Sequence, residues 1–306
     1  MFDLIGDIHG YAHELHQLLE KLGYSRKGGT FSHLERRVIF LGDFIDRGPH
    51  IREVLEIVRP MVEAGSALAV MGNHELNALA FHTPDGMGGY LRSHNQKNLK
   101  QHAATLQQLS EAELADALAW FRTLPMWLDL PGLRAVHACW DDAAVDTVQQ
   151  ALQRHSGITG DFLHSACLND GTLFEPVERM LKGMELALPV GVVHRDKDGY
   201  ERHKTRTRWW MNTTGQSYRT YAMQPGLECD EPLPIEFLAC AKEYSPDAKP
   251  VFVGHYWLTG DAPELLAPNV ACLDYSVAKG GMLTAYRWDG EQTLSNEKFV
   301  WVNVVK

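Results

Sequence analysis

Short apolar runs that end in glycine and polar residues recur along the first quarter of the chain. Three of them, at 1–5, 37–41 and 67–71, predict buried strands from their β-branched and aromatic content. Apolar residues at helical spacing follow the first two runs, so helices are predicted over 11–22 and 53–64. Three consecutive units of strand, turn and helix, joined by right-handed crossovers, place their turns at one edge of a sheet.

The three turns concentrate acidic, imidazole and amide side chains where the predicted strands end. They read Gly-Asp-Ile-His-Gly at 6–10, Gly-Asp-Phe-Ile-Asp-Arg-Gly at 42–48 and Gly-Asn-His-Glu at 72–75. Ligands bind at the carboxyl ends of strands in open α/β sheets, and two carboxylates beside a guanidinium suit a metal ion and a phosphate together. One such turn could equally hold capping carboxylates, but its repetition in three units favours a functional site.

The last three strands of the chain have no helices between them and are predicted to close the fold in antiparallel fashion. Residues 76–122 are predicted to be mostly helical, with a break at 85–89. No linker, low-complexity segment or repeat divides the chain, so we expect a single domain over 1–306. Further strands are predicted at 126–130, 133–138, 250–256, 269–274, 282–288 and 298–304, helices at 143–155 and 173–186, and a turn at Asp196 to Gly199.

Two histidines are predicted to emerge beside the polar turns. His137 and His255 each lie near the end of an apolar strand, where the earlier turns should also emerge, and we interpret both as ligands. Five further histidines are not interpreted as ligands. His13 and His16 lie on the first predicted helix and are expected to be solvated, and His82, His94 and His102 lack metal-ligand spacing and are expected at the surface.

The strand-end side chains form a mixed oxygen and nitrogen donor set. Such sets suit Mn, Fe, Zn or Mg rather than a thiolate-type site. The side chains of this set are too many to bind one ion and about enough to bind two, if one carboxylate bridges the ions. Two ions ~3.5–4 Å apart can hold a shared hydroxide and polarise a phosphoryl group for in-line attack. The set comprises Asp7, His9, Asp43, Asn73, His74, His137 and His255.

Composition narrows the class of protein. The 306 residues are 45% hydrophobic and 22% charged, which permits a sizeable core and argues against disorder. A net charge of −10 argues against bulk binding of nucleic acid or an anionic membrane. The five cysteines are scattered without a C-x-x-C pair, so a reducing cytoplasm is expected. Asp3 and Asp7 interrupt any secretory signal, and no apolar stretch approaches the ~20 residues of a membrane helix.

Taken together, the motifs resemble those of the calcineurin-like metallophosphoesterase superfamily. The resemblance rests on GDIHG, GDFIDRG and GNHE, followed by the later strand-end histidines in VHAC and VGHY. The IDRG and GNHE forms are similar to the PPP-type phosphoprotein phosphatase branch, including its bacterial members. The resemblance implies an α/β (α+β) fold, a four-layer αββα sandwich, with a dinuclear metal site that holds two divalent ions, Mn²⁺ above all.

By motif position, the resemblance also implies a role for each side chain. Asp7, His9 and Asp43 would hold the first ion, with Asp43 bridging, and Asn73, His137 and His255 would complete the second.

The remaining motif residues would act on the substrate. His74 would be the general acid that protonates the leaving oxygen, and Asp46 would align its ring. Arg47 would clamp the phosphate, and the family's second phosphate-binding arginine would be Arg206 or Arg208.

The chain departs from the family pattern between the last two ligands. His137 and His255 are 118 residues apart (255 − 137), so we expect a helical or loop cap at about 141–247 that influences substrate choice. The basic and aromatic run at 202–210 is either the wall of the pocket that meets phosphate or a strand with one solvated face.

The predicted function is metal-dependent phosphoester hydrolysis by a metal-bridging hydroxide with His74 as general acid. A phosphomonoesterase of the serine/threonine protein phosphatase type comes first, acting on phosphoproteins or other phosphorylated substrates. Hydrolysis of a dinucleoside polyphosphate of the diadenosine tetraphosphate type, or of a nucleic-acid end or cap, is the alternative. The alternative without enzymatic activity is a metal-binding scaffold, although each inferred ligand is a residue type able to bind a catalytic metal.

Overall fold

The computed structural model describes residues 1–169, 171–195, 201–224 and 226–304. Two 3₁₀ turns, Val277–Lys279 and Asn296–Lys298, accompany the helices. The helices are α1 (Ala12–Lys21), α2 (Ile51–Glu63), α3 (Asn73–Phe81), α4 (Gln96–Gln108), α5 (Glu111–Phe121), α6 (Asp142–His155), α7 (Gly160–Cys167), α8 (Phe174–Lys182), α9 (Tyr218–Tyr221) and α10 (Ile235–Cys240). The strands are β1 (Phe2–Ile5), β2 (Ser25–Lys27), β3 (Thr30–Ser32), β4 (Arg37–Phe40), β5 (Ala67–Ala69), β6 (Trp127–Asp129), β7 (Arg134–Val136), β8 (Glu185–Ala187), β9 (His194–Arg195), β10 (Glu201–Arg202), β11 (Lys204–Arg206), β12 (Val251–Val253), β13 (Val270–Cys272), β14 (Asp274–Tyr275), β15 (Met282–Trp288) and β16 (Phe299–Asn303).

The first sheet joins the beginning of the chain to its end. β1, β4 and β5 are parallel neighbours, as the three strand–turn–helix units predict. β15 pairs antiparallel with β1, and β14 and β16 pair antiparallel with β15. The predicted parallel opening and antiparallel close are therefore both confirmed.

The second sheet has the order β13–β12–β7–β6. Its first three strands are parallel and β6 is antiparallel to β7. The segment 269–274, predicted as one strand, divides into β13 of this sheet and β14 of the first, so the chain passes between the sheets at Leu273. The predicted helix over 173–186 likewise ends early, at Lys182, and β8 follows it.

The two sheets face each other across an apolar core. Alternate residues of both sheets, such as Leu4 and Ile39 of the first and Phe252 of the second, belong to one buried cluster. The intervening residues, such as Val38 and Val253, belong to the cluster that contains the apolar faces of the helices. Because strand side chains alternate between faces, the helices cover the outer faces of the sheets. The predicted αββα arrangement is confirmed.

The short elements between α8 and β12 share an apolar cluster of their own, which includes Leu186, Tyr221 and Leu233. A cap over 141–247 stays a prediction, and the turn predicted at Asp196 to Gly199 lies outside the described residues. None of the helices described here is long and apolar enough to cross a membrane.

Candidate active site

Three imidazole rings converge on one carboxylate, that of Asp43 after β4. The Nε2 atoms of His9, His137 and His74 lie 3.5, 3.4 and 3.9 Å from its Oδ2 atom. All four side chains are buried. The turns after β1, β4, β5 and β7 thus meet at one point, as the strand-end pattern predicts.

In two of these rings Nδ1 is held by a backbone carbonyl, so Nε2 is the nitrogen that faces the carboxylate. His9 Nδ1 lies 2.9 Å from the carbonyl oxygen of Ile45, and His137 Nδ1 lies 2.7 Å from that of Leu41. A carbonyl only accepts, so each Nδ1 donates and each Nε2 is directed toward Asp43. His9 Nε2 is buried and has no hydrogen-bond partner among the residues that the structure describes. An unprotonated imidazole nitrogen opposite a carboxylate oxygen is the arrangement of ligands around a cation.

The electrostatics of the cluster also require positive charge at its centre. Burial acts to lower the pKa of His137, but Asp43 and Asp7 outweigh it and raise that pKa to about 10. His9 has the opposite balance, since burial and the charge of His74 lower its pKa to about 3. A proton on His137 neutralises the carboxylates in the free protein, and a bound cation would do so in its place.

Two groups of three residues have the geometry to hold metal ions, and both contain Asp43. One group is His9, Asp43 and His74, the other Asp43, His137 and His255, and within each the ligand atoms lie within 4.8 Å of one another. Within the described part of the chain, both ring nitrogens of His255 are buried without a hydrogen-bond partner. The donor set therefore fits two cations that share Asp43.

Asp7 and Asn73 lie at the margins of these groups. Asp7 accepts the backbone N–H of His255 at 3.1 Å, and burial together with Asp274 raises its pKa well above the usual range. Asn73 Oδ1 lies 3.1 Å from His137 Nε2, beside the second group. Neither is a member of the two groups found among the described residues, so their ligation stays a prediction.

Glu75 shapes the turn that presents Asp43. Its carboxylate accepts the backbone N–H groups of Gly72, Asp43 and Phe44 at 2.9, 2.8 and 2.8 Å. The sequence marks Glu75 only as the last residue of Gly-Asn-His-Glu. An acidic residue in the first turn of a helix commonly caps backbone N–H groups, and this position is the pattern that could have indicated its role.

Asp46 is hydrogen-bonded to His74, as expected, and to two further residues. His74 Nδ1 lies 2.6 Å from Asp46 Oδ2. The other carboxylate oxygen, Oδ1, accepts from His102 Nδ1 at 2.8 Å and from Thr105 Oγ1 at 2.6 Å. The expectation that His102 is a surface residue was wrong, because α4 turns it inward and leaves it 4% exposed. His94, by contrast, is exposed, and His82 is half-buried.

The arginines differ in their relation to the site. Arg47 is exposed, and its guanidinium lies 4.4 Å from the ring centroid of Trp257, which in turn contacts His9. Burial and then the charge of Arg206 lower the pKa of His255. Arg208 is exposed, and its Nε donates to the carbonyl of Ala222. The choice between the two as a phosphate ligand stays a prediction.

Backbone strain is concentrated at this site. Eight non-glycine residues among those described have positive φ, and six belong to the site: His9, Asp43, Asp46, Arg47, His255 and Trp257. Such conformations are uncommon outside glycine and collect where surrounding structure imposes them for function.

Two facing sheets with outer helices and a buried carboxylate–imidazole cluster at the strand ends define a protein of the metallophosphoesterase fold. A family model described as calcineurin-like phosphoesterase matches residues 1–171, more than half of the chain. The chain belongs to this family, and the resemblance carried by the motifs is confirmed.

Two relatives match part of the chain, and a solved structure aligns along all of it. The chain is 40% identical over 124 residues to the bis(5′-nucleosyl)-tetraphosphatase PrpE (asymmetrical) of Halalkalibacterium halodurans, which covers 40% of this chain and 48% of that protein. It is 40% identical over 116 residues to the protein of the same name from Bacillus subtilis, covering 37% and 44%. The chain thus spans less than half the length of these two relatives. A protein serine/threonine phosphatase structure from Saccharomyces cerevisiae is 14% identical with a TM-score of 0.49, covering 100% of this chain and 80% of that one.

Proposed function

We propose that this chain hydrolyses phosphoesters with the help of two divalent cations. The observation that carries the proposal is the set of unpartnered imidazole nitrogens around Asp43. His9 Nε2 and both ring nitrogens of His255 are buried and make no hydrogen bond to any residue described in the structure. Burying unsatisfied polar nitrogens costs about 1–3 kcal/mol each, so a ligand that satisfies them would stabilise the site.

The cations would be held by the side chains around Asp43. His9 and Asp43 would belong to one ion, His137 and His255 to the other with Asp43 shared, and Asp7 and Asn73 would complete the sets. When bound, they would supply a water of lowered pKa and polarise the phosphoryl group. We propose Mn²⁺ first, since the oxygen and imidazole donors suit it, with Fe, Zn and Mg as the other ions this set accepts.

The chain's own residues would bind the phosphate and deliver the proton. His74, aligned through Nδ1 by Asp46, would donate from Nε2 to the leaving oxygen. Burial acts to raise the pKa of Asp46, but hydrogen bonds from His102 and His74 keep it below its usual range, so Asp46 stays charged. Arg47, from the adjacent position of the turn, would clamp the phosphate oxygens, and Arg206 would add a second guanidinium.

Phosphomonoesters, including phosphoproteins, are our first candidate substrates. Dinucleoside polyphosphates are the second, supported by the tetraphosphatase names of relatives that share up to 124 aligned residues. We further propose a cytoplasmic location, which is supported by the absence of any disulfide among the five cysteines.

The test of the reaction uses the metal-stripped chain and p-nitrophenyl phosphate. We expect no phosphate release with a chelator and turnover on adding Mn²⁺. His74→Ala should lose about 10²-fold or more on an alkyl phosphate and much less on the nitrophenyl ester, since a good leaving group needs little protonation. The control is His13→Ala, which changes an exposed histidine of α1. This variant should keep the wild-type ratio of activity on the alkyl phosphate to activity on the nitrophenyl ester. Equal losses on both substrates contradict a general-acid role.

Chromatography of the products separates the two substrate classes. Diadenosine tetraphosphate should give nucleotide fragments if it is a substrate, and its kcat/KM is compared with that of a phosphoserine peptide. Failure of the wild-type chain to hydrolyse any ester or anhydride of a broad panel with Mn²⁺ would overturn the proposal.

A further inference from the structure

We propose that His102 is a positioning residue for the general acid, acting through Asp46. This proposal rests on the proposed function, because it assigns how the chain holds His74 in the orientation that the reaction needs. The Nδ1–H of His102, together with the hydroxyl of Thr105, fixes one oxygen of the Asp46 carboxylate. The other oxygen is thereby aimed at the His74 ring.

The contacts around Asp46 divide between its two oxygens. Oδ2 accepts from His74 alone at 2.6 Å, whereas Oδ1 accepts from His102 at 2.8 Å and Thr105 at 2.6 Å. The backbone N–H of Asp46 also donates to Thr105 Oγ1, at 3.0 Å. A carboxylate held at both oxygens cannot rotate without losing a charge-assisted hydrogen bond. Its orientation therefore sets the direction of the His74 Nδ1–Nε2 axis.

The ring of His102 is itself held with its Nδ1–H toward Asp46. Its Nε2 lies 3.3 Å from Nε2 of His82, so one of these two nitrogens donates to the other. A carboxylate only accepts, so Nδ1 of His102 donates to Asp46 whichever of the two Nε2 nitrogens is the donor.

The far side of the His74 ring is supported from the same helix. Gln101 Nε2 lies 3.3 Å from His74 Nε2, and Arg92 donates to Gln101 Oε1 at 2.9 Å. The nitrogen that Gln101 contacts is the one that would face the leaving oxygen. Helix α4 thus contacts the dyad of Asp46 and His74 at both of its ends.

The experiment compares His102→Leu with His102→Asn. Leucine removes the donor, whereas the asparagine amide replaces an N–H close to the Nδ1 position. With Mn²⁺ present, we expect His102→Leu to lose about tenfold or more in kcat on an alkyl phosphate, as for other removed supporting hydrogen bonds, and only a few-fold on p-nitrophenyl phosphate. KM should change little, and His102→Asn should restore most of kcat. The control is His94→Ala, which removes an exposed histidine stacked on Phe81 without touching Asp46.

A second readout does not depend on activity or on metal. In ¹⁵N-labelled protein, imidazole Nδ1–H groups that donate to a buried carboxylate give proton signals downfield of the amides. His102→Leu should remove one such signal and shift or broaden that of His74, whereas His102→Asn should leave the His74 signal in place. An unchanged His74 signal in folded His102→Leu, or equal kcat losses on the two substrates, overturns the positioning role. Should the wild-type chain prove inactive, the proposed function fails while these spectra still decide the role of His102.

Discussion

Gly254 lies so close to Asp7 that a methyl group cannot be accommodated there. A Cβ atom built on Gly254 would lie 2.0 Å from Asp7 Oδ1, well inside van der Waals contact. The peptide that follows is the one whose N–H, on His255, donates to Asp7. The absence of a side chain at 254 therefore lets a strand end of the second sheet approach the carboxylate of the first.

At this residue scale, we predict that Gly254→Ala weakens metal binding. The new methyl group must push the Asp7 carboxylate away, and displaced supporting contacts typically cost about 10–100-fold in metal affinity. Isothermal titration of the metal-free chain with Mn²⁺ measures this loss. The control is Gly160→Ala at the start of α7, where nothing lies within 4 Å of the added methyl. Unchanged affinity in Gly254→Ala would remove Asp7 from the ligand set.

At the scale of elements, helix α4 holds the turn after β4 in its strained conformation. Thr105 bonds the backbone N–H and the side chain of Asp46. Gln108, one turn later on the same face, accepts the N–H of Ile51 at 2.7 Å and donates to the carbonyl of Gly48 at 2.9 Å. Residues three and four apart share a face of a helix, so one face of α4 satisfies polar groups along this turn.

We therefore predict that Thr105→Val destabilises the fold more than a similar change elsewhere. Valine keeps the shape but leaves the buried N–H of Asp46 without a partner, which costs about 1–3 kcal/mol. Thr147→Val on α6 is the matched control, since the half-buried Thr147 bonds a carbonyl of its own helix and no other group among the described residues. The free energy of unfolding of this control, measured in urea, should lie within about 0.5 kcal/mol of the wild-type value. Equal effects of the two substitutions would show that α4 does not hold the turn.

At the scale of the whole molecule, a buried ionic network joins the two ends of the chain. Asp3 of β1 is 0% exposed and accepts from Arg36, Arg287 of β15 and Tyr24. Arg36 reaches further, to Asp289 and to two backbone carbonyls. The network fixes the interior of the first sheet, where β1 pairs with β15.

Removing Arg36 should destabilise the whole fold. Arg36→Met leaves Asp3 buried with less compensating charge, and breaking a buried ion pair from one side costs about 3–5 kcal/mol. Arg59→Met is the control, because Arg59 pairs with the exposed Glu63 and Asp116 and such pairs contribute at most about 1 kcal/mol. Urea unfolding at neutral pH measures both, and a loss for Arg36→Met no larger than that of the control would contradict the prediction.

Local sequence patterns were enough to predict some elements of the fold and site, but not contacts between distant residues. The strands and turns that carry Asp43 and His74 were predictable because periodicity and turn residues are local properties. His102 was not, since its partner Asp46 lies 56 residues earlier and only the path of α4 brings them together. For the same reason, the sequence offers no choice between Arg206 and Arg208, which are separated by one residue.

The strained conformations at the site have a consequence for engineering this chain. Six of its side-chain-bearing residues there adopt left-handed backbone, and glycine would relax each of them. Glycine would also remove the contacts of the side chain, which at Asp46 are three buried hydrogen bonds. Arg47 is exposed, so selection for thermostability alone would favour glycine there first. Such selection would enrich robust chains that lack the proposed phosphate clamp, so any such campaign needs a screen for turnover alongside the one for heat resistance.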